Sequence, residues 1–228
     1  MESWNPPPRP TEYAEKALLT AILKGIYPPG STLPGERDLA TQLGVTRPTL
    51  REVLVRLGSD GWLTIQHGKL TRINDYWLDG GLNVLSALVR FSDNLPHDFV
   101  PNLLVVRLDM APTYARLAVE RGAPRVITCL HDSVAEGDSP ETFASFDWRL
   151  HHTLTVTSGN PIYTLILNGF AGFYEQMACQ YFHHAETRQA SCQFYKGLLS
   201  AAQDNNPASA EHVTRLAMQE SLRLWESL

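Results

Sequence analysis

The stretch PGERDLATQLGVTRPTLREVLVRLG at residues 34–58 decides the fold of the first part of this chain. It predicts two short helices separated at Gly44, because leucines recur at helical spacing on both sides of that glycine. Thr46 suits the N-cap of the second helix, and Pro48 falls in its first turn, where a missing N–H costs little. The pattern is typical of a helix-turn-helix, whose second helix reads DNA from its first turns.

Cationic and hydroxyl side chains crowd the start of this second helix, away from its apolar face. Guanidinium groups and hydroxyls at that place can contact base edges and phosphates. We expect contacts with DNA from Arg37, Thr46, Arg47, Thr49 and Arg51. The alternative is an ordinary helical hairpin with a solvated charged face.

Two β-prone runs, 62–66 and 70–74, follow the second helix directly and flank His67, Gly68 and Lys69. They predict a β-hairpin with a small cationic tip. A hairpin in this position is the wing of a winged helix. Its tip can enter the minor groove, where His67 and Lys69 meet a negative potential and Gly68 permits close approach. A surface hairpin with an unrelated lysine is the weaker alternative.

Beyond Pro96 nearly every window of the sequence has a helical pattern, and no strand pattern or repeat appears. Glycines and prolines divide this part into six expected helices. These are 98–121, 124–136, 140–158, 161–184, 187–204 and 207–227. The fold class is therefore mostly α, with an N-terminal winged helix-turn-helix that carries a small β-hairpin and a C-terminal all-α helical bundle.

Four segments follow from these patterns. We expect a loose proline-rich arm at 1–10, a winged-helix DNA-binding domain at 11–75, a linker helix at 76–96 and a helical domain at 97–228. The helical part of the linker is expected at 77–90.

The expected helix at 161–184 is apolar on more than one face, which predicts a central helix. Its aromatic residues and its methionine suit either a packed core or the wall of an acyl-chain cavity, and periodicity does not separate the two.

Charge and cysteine content are compatible with a cytoplasmic DNA-binding protein. The net charge of the 228 residues is −5, but residues 1–74 hold nine Lys and Arg against seven Asp and Glu, whereas the rest hold ten against 17. The acidic remainder directs the positive field through one face. Three scattered cysteines predict free thiols in a reducing compartment. The sequence shows no pattern of a membrane span or a signal peptide, so we expect a cytoplasmic protein without membrane contact.

Residues 13–74 resemble the winged-helix domain of the GntR family, and PPGSTLPGERDLA at 28–40 and VTRPTLRE at 45–52 carry the match. The runs DGWLTIQHGK at 60–69 and SGNPIY at 158–163 are similar to the FadR subgroup, which regulates fatty-acid metabolism. The resemblance spans nearly the whole chain and grows looser toward the C-terminus.

The resemblance implies a transcription regulator, acting as repressor or activator, and not an enzyme. The sequence agrees, since it has no phosphate-binding loop, nucleophile elbow or metalloprotease motif. The implied partners are a palindromic double-stranded operator, a second copy of the chain, and long-chain fatty acyl-CoA as the effector, with no other cofactor. The domain at 97–228 then binds the effector and forms the homodimer. Binding is expected to rotate this domain against the helix at 77–90, change the spacing of the two reading helices and release the operator.

The effector residues implied by the resemblance are Arg107, Tyr181, Ser221 and Trp225. An arginine on an apolar helix needs an acceptor, and a salt bridge to an acid on a neighbouring helix is an equal alternative for Arg107. Two positions depart from the family pattern. Ala217 and Met218 replace a tyrosine and a glycine near the effector head group, and Pro48 replaces a threonine in the reading helix.

Asp147 and His151 stand four residues apart, which places a carboxylate and an imidazole on one helix face. Relatives in the wider family complete this spacing with two further histidines to hold a metal. The later helices of this chain lack such partners, so we predict no metal site, with these two residues as weak candidates. The alternative function is a GntR-type repressor that answers a small carboxylate metabolite through a bound metal.

Overall fold

The computed structural model describes residues 9–66, 68–92 and 95–227. The expected arm at 1–10 lies almost wholly outside these residues, and so does His67 at the expected wing tip. The chain divides into two compact units between residues 95 and 96.

Within the described residues, the N-terminal unit contains a helix-turn-helix, a preceding helix, a hairpin and two further helices. The elements are α1 Pro10–Leu23, α2 Glu36–Leu43, α3 Arg47–Ser59, β1 Leu63–Thr64, β2 Arg72–Ile73, α4 Tyr76–Asp79 and α5 Leu82–Phe91. Gly44 ends α2 with a φ of 68°, a conformation that favours glycine. Thr46 caps α3, because its hydroxyl accepts a hydrogen bond from the Thr49 backbone N–H at 3.3 Å. The predicted helix-turn-helix is confirmed.

The core of this unit lies where α1 packs on α3. Leu18, Leu50, Leu54 and Leu57 are almost completely buried. Full burial of a leucine side chain stabilises the fold by roughly 1.5–3 kcal/mol. These leucines therefore fix the orientation of α3 and leave its polar face outside.

The hairpin is present but shorter than the runs at 62–66 and 70–74. Strands β1 and β2 are antiparallel, with Leu63 opposite Ile73, and both of these side chains are buried.

A third extended segment pairs with the hairpin, which the sequence patterns did not predict. Thr32 forms an antiparallel bridge with Arg72, and the Leu33 N–H donates to the Thr71 carbonyl at 2.8 Å. The segment is too short, and too close to prolines and glycines, for its alternation to be visible in sequence.

The prediction of a single helix at 77–90 is wrong, because the structure has two helices there, separated by Gly80 and Gly81. A Cβ atom at Gly80 would overlap the Tyr76 carbonyl oxygen, so this close approach requires glycine. The segment expected as a linker helix at 76–96 therefore contains two shorter helices, α4 and α5. The second helix, α5, packs against α1 in the N-terminal unit.

The described part of the C-terminal unit is helical throughout. Its elements are α6 Phe99–His131, α7 Pro140–Thr157, α8 Pro161–Gly169, α9 Ala171–Phe182, α10 Ala185–Gln203 and α11 Pro207–Glu226. Helix α6 packs against α7, α10 and α11 and is the central helix. Among the residues that the structure describes, none of the helices combines the length and the apolar character that a membrane crossing requires.

The break expected near Gly122 is present as a kink inside α6. The backbone at Gly122 is non-helical, with φ −163° and ψ 45°, and regular helix resumes after it. A Cβ atom there would lie 2.5 Å from Cγ2 of Thr157 on α7. The glycine therefore allows α6 and the end of α7 to approach closely.

The helix expected at 161–184 is two helices that meet at Phe170, and it is not central. Ile162 and Leu165 on α8 are 55% and 63% exposed. The apolar residues on its several faces do not all enter the core, which corrects the sequence-based expectation.

Candidate functional site

The first predicted site lies at the start of α3, where the polar residues are accessible. Thr46 and Arg47 are exposed and Thr49 is half-buried. The hydroxyl oxygens of the two threonines lie 2.8 Å apart. The threonines therefore stabilise the helix start, and their exposed sides face solvent beside Arg47.

The three predicted arginines differ in their surroundings. Arg47 makes no ion pair with any part of the chain that the structure describes. The Arg37 side chain is 83% exposed, with Nε 3.1 Å from Oδ1 of Asp38. Arg51 reaches back to α2, where its Nη2 lies 2.9 Å from Oε2 of Glu36. Because exposed ion pairs contribute only about 0–1 kcal/mol, these guanidiniums can turn to phosphates or bases.

The wing tip is an open, cationic turn. Gly68 has a φ of 73°, and apart from its chain neighbours no described residue lies within 4 Å of the position of a Cβ atom there. Lys69 is exposed, and its N–H donates to the Gln66 carbonyl at 3.2 Å. His67, the third predicted residue of the wing, lies outside the described residues.

The second predicted site is a cavity of about 110 Å³ inside the C-terminal unit. Most of its wall is apolar and comes from α6 on one side and from α8 and α9 on the other. The apolar lining includes Val100, Leu103, Leu104, Met110, Ile166, Leu167, Phe170, Phe173 and Met177. Of the two interpretations of the segment at 161–184, the structure supports a cavity wall.

All four residues that the resemblance placed at an effector site line this one cavity. They are Arg107 on α6, Tyr181 on α9, and Ser221 and Trp225 on α11. The rings of Tyr181 and Trp225 stack, with centroids 6.4 Å apart and planes at 22°. The Ser221 hydroxyl donates to the Ala217 carbonyl at 2.9 Å, so its oxygen can still accept. Met218 is buried.

Arg107 belongs to a buried ion pair. Its Nη2 lies 2.6 Å from Oδ2 of Asp147 on α7, and the Asp147 side chain is 3% exposed. Tyr174 and Tyr195 donate hydrogen bonds to the same carboxylate, the latter at 3.0 Å. Burial raises the pKa of Asp147, but the Arg107 charge and these hydrogen bonds lower it further, so the carboxyl is ionised. The salt bridge to a neighbouring helix, one of the two alternatives for Arg107, is what the structure shows.

His151 joins this ion pair one helical turn after Asp147. Burial and the charge of Arg107 lower the pKa of His151 to about 3, so the imidazole is neutral at physiological pH. Its Nε2 lies 2.5 Å from Nη2 of Arg107. Because a guanidinium only donates, Nε2 must accept, and the ring proton is on Nδ1. The Nδ1–H then donates to the hydroxyl of Tyr114, 2.6 Å away.

These groups, of which Arg107 and Tyr174 are half-buried and the others buried, form what we call the polar cluster. Its members are Arg107, Tyr114, Asp147, His151, Tyr174 and Tyr195. They come from α6, α7, α9 and α10, so the cluster holds four helices together around one side of the cavity.

The weak metal candidates Asp147 and His151 both contact Arg107 instead. The guanidinium lies 2.6 Å from the carboxylate and 2.5 Å from the imidazole nitrogen, so a cation is already present between them. In the part of the chain that the structure describes, no group of three or more His, Cys, Asp or Glu side chains is arranged to hold a metal.

Tyr181 carries a buried hydroxyl beside the Ser221 hydroxyl, and it makes no hydrogen bond of regular geometry among the described residues. The side chain is 8% exposed. Burial raises the pKa of this phenol, so it stays neutral. An unpaired buried hydroxyl costs about 1–3 kcal/mol, which an acceptor on a ligand would offset.

Sequence reasoning missed the tyrosines of the polar cluster. Tyr114 follows Arg107 by seven residues, or two helical turns, and this spacing could have placed both on one face of α6. No spacing links Tyr174 and Tyr195 to Asp147, because they lie on other helices.

Comparison with known proteins shows the family of this chain. Residues 10–73 match the family described as bacterial regulatory proteins, gntR family, and residues 74–228 match the FadR C-terminal domain. This chain belongs to the gntR family and carries a FadR C-terminal domain. The fatty acid metabolism regulator protein of Shewanella pealeana is 42% identical over 219 residues, which covers 96% of this chain and 92% of the relative. The protein of that name from Pectobacterium atrosepticum is 43% identical over 223 residues, with the same shares.

A solved structure agrees with the fold. Lar, which controls the expression of the agr system of Listeria monocytogenes, matches over 100% of both chains with a TM-score of 0.53 and 16% identity. At that identity the likeness shows the fold alone. The family membership confirms the predicted fold class and the prediction of a regulatory protein rather than an enzyme.

Proposed function

We propose that this chain is a DNA-binding transcription regulator of fatty-acid metabolism and that long-chain acyl-CoA releases it from its operator. One observation carries the proposal. An apolar cavity with few polar groups, lined by all four expected effector residues, lies in a chain whose relatives are named fatty acid metabolism regulators. Such a lining suits an acyl chain.

The DNA-binding half of the proposal rests on the exposed cations of α3 and the wing. We assign DNA contacts to Arg37, Thr46, Arg47, Thr49, Arg51, His67, Gly68 and Lys69. One reading helix contacts only a few base pairs, so selectivity requires two helices on a two-fold axis. The regulator would therefore act as a homodimer on a palindromic double-stranded operator, in the cytoplasm and without a further cofactor.

The proposal of an acyl-CoA effector rests on the lining of the cavity, which has apolar walls and a few polar groups. The acyl chain would lie between α6 and the wall formed by α8 and α9. Ser221 and Trp225 would contact the head group, and the Tyr181 hydroxyl would donate to the thioester carbonyl. Because Asp147 already neutralises Arg107, we assign Arg107 to the cavity wall rather than to the phosphates of CoA.

The size of the cavity supports a switch. At about 110 Å³ it is smaller than a cavity of roughly 150 Å³ that holds one benzene molecule. A long acyl chain therefore requires a wider state, and a ligand shifts the equilibrium by its differential affinity for the two states. A hundredfold loss of operator affinity requires about 2.7 kcal/mol of coupling. About four methylenes buried only in the wider state supply this, at roughly 0.8 kcal/mol each.

Native mass spectrometry of the full chain at neutral pH tests ligand class and assembly together. We expect a dimer that binds two molecules of hexadecanoyl-CoA and does not retain CoA alone. Trp225→Ala should weaken acyl-CoA binding at least tenfold. Trp77→Ala, which removes a half-exposed tryptophan from the N-terminal unit, is the matched control. A monomer that retains no acyl-CoA would overturn the proposal.

A further inference from the structure

Tyr114 has a hydroxyl hydrogen that the polar cluster does not use. The side chain is 4% exposed and lines the cavity. Its hydroxyl has one partner among the described residues, Nδ1 of His151. Because Arg107 forces Nε2 to accept, Nδ1 donates, and the Tyr114 oxygen is the acceptor in this pair. The hydrogen of the hydroxyl is left to donate elsewhere.

The other charged and polar groups around Tyr114 are already paired. The Asp147 carboxylate accepts from Arg107, Tyr174 and Tyr195, so both of its oxygens are engaged. The same carboxylate neutralises Arg107. No uncompensated cation is therefore offered to an anionic group, whose burial would be costly. The cavity offers neutral phenol groups, among them the buried hydroxyls of Tyr114 and Tyr181 and the half-buried hydroxyl of Tyr163.

The two buried hydroxyls come from different helices and have different neighbours. Tyr181 on α9 stacks on Trp225 and shares the head-group end with Ser221. Tyr114 on α6 packs instead against the ring of Tyr163 on α8, with centroids 5.8 Å apart. If the thioester carbonyl of the proposed ligand accepts from Tyr181, a second oxygen on the ligand would give Tyr114 an acceptor of its own.

We propose that the cavity recognises an acyl chain bearing an uncharged oxygen, as a hydroxyl or keto group, and that the Tyr114 hydroxyl donates a hydrogen bond to this oxygen. The inference rests on the proposed function, since it names the preferred subclass of acyl-CoA. It makes the oxygenated chain, rather than the plain saturated chain, the ligand that satisfies both buried phenols.

The test is a binding comparison on the full chain by isothermal titration. The probes are hexadecanoyl-CoA and its derivatives with a hydroxyl near the thioester, in mid-chain or at the end of the chain. For each derivative, the measured quantity is the ratio of its Kd to that of hexadecanoyl-CoA. For one hydroxyl position, this ratio should be about three- to tenfold lower in the wild type than in Tyr114→Phe. Tyr163→Phe, which removes another phenol oxygen from the same cavity, should leave the ratio unchanged.

Three results would overturn the inference. In the first, the Kd ratios are equal in the wild type and Tyr114→Phe for every hydroxyl position. In the second, the Kd ratio changes in Tyr163→Phe and not in Tyr114→Phe. In the third, Tyr114→Phe abolishes a preference for hexadecanoyl-CoA over the thioether S-hexadecyl-CoA, which would assign Tyr114 to the thioester carbonyl. If no acyl-CoA binds at all, the proposed function fails as well. If the plain chain binds and the ratios do not change, this inference alone fails.

A second measurement tests the hydrogen-bond assignment without a Tyr114 variant. Nitrogen-15 NMR of histidine-labelled protein, with His151 assigned through His151→Gln, reports which ring nitrogen carries the proton. We expect a neutral ring protonated on Nδ1. A ring protonated on Nε2 alone would make Nδ1 the acceptor of the Tyr114 hydrogen, remove the free donor and overturn the inference.

Discussion

The start of α3 and the polar cluster use the same kinds of side chain, arginines and hydroxyls, in opposite surroundings. At α3 the guanidiniums are exposed, and their ion pairs are weak because water screens them. In the polar cluster the side chain of Asp147 is 3% exposed and that of Arg107 is 23% exposed, and a lone charge there would cost several kcal/mol. The comparison shows that the exposed arginines at α3 remain available to a large anionic partner. Arg107 is instead paired with Asp147 inside the fold, so the groups that remain for a ligand in the cavity are neutral hydroxyls.

The largest expected effect comes from breaking the buried pair. Asp147→Ala leaves the largely shielded Arg107 without its carboxylate, so we expect the free energy of unfolding to fall by about 3–5 kcal/mol. Urea denaturation measures this. The control is Glu120→Ala, which breaks the exposed pair with Arg116 and should cost less than about 1 kcal/mol. Similar losses in both variants would contradict the contrast between the two regions.

The next effect concerns the exposed side of the comparison. Arg47→Ala should weaken operator binding by about 1–3 kcal/mol and relax specificity at one base pair. Fluorescence anisotropy at fixed salt measures it, with a duplex selected from random sequence by the full chain. Arg223→Ala is the control, since it removes an exposed guanidinium from α11 with the same change in net charge. If Arg47→Ala binds within about twofold of the wild type, the assignment of Arg47 is wrong.

Acid should destabilise the polar cluster through His151. The pKa of His151 is about 3 in the folded chain and near its usual value of 6.5 when unfolded, so the unfolded chain binds the extra proton between these values. Stability therefore falls as the pH drops from about 6.5 toward 3, by up to about 1.4 kcal/mol per pH unit. His151→Gln should remove this slope in urea titrations at several pH values, whereas His212→Gln, at an exposed position, is the control. An unchanged slope in His151→Gln would show that the ring is not buried neutral.

The smallest effect concerns the role of Thr46 as the N-cap of α3. Thr46→Ala removes the N-cap of α3 and should lower the free energy of unfolding by about 1 kcal/mol. Thr46→Ser keeps the capping oxygen and should retain most of the stability. Thermal unfolding measures both variants. Equal stability of Thr46→Ala and the wild type would show that the cap contributes nothing.

The sequence predicted the elements that local signals determine. The turn at Gly44, the cap at Thr46 and the breaks at glycine and proline depend on neighbouring residues, and the structure has them. The bridge between Thr32 and Arg72 was missed because it joins residues 40 positions apart. The break at Phe170 was missed although Gly169 and Gly172 flank it, because apolar residues continue at helical spacing across both glycines.

The candidate site was predictable to a similar extent. The resemblance supplied four cavity residues, and the structure brings all four to one cavity. It did not supply the partners of Arg107, because an ion pair between α6 and α7 depends on how the helices pack. It also did not show that Tyr114 has an unused donor, which follows only from the chain of hydrogen bonds through His151.

The central claim is that acyl-CoA in the C-terminal unit controls DNA binding by the N-terminal unit. The most direct test is an anisotropy titration of the complex between the full chain and its selected operator with acyl-CoAs of increasing chain length. The account predicts that long chains weaken operator binding about a hundredfold, that CoA alone has no effect, and that Trp225→Ala shifts the response to higher acyl-CoA concentration. An operator complex that is indifferent to every chain length would contradict it.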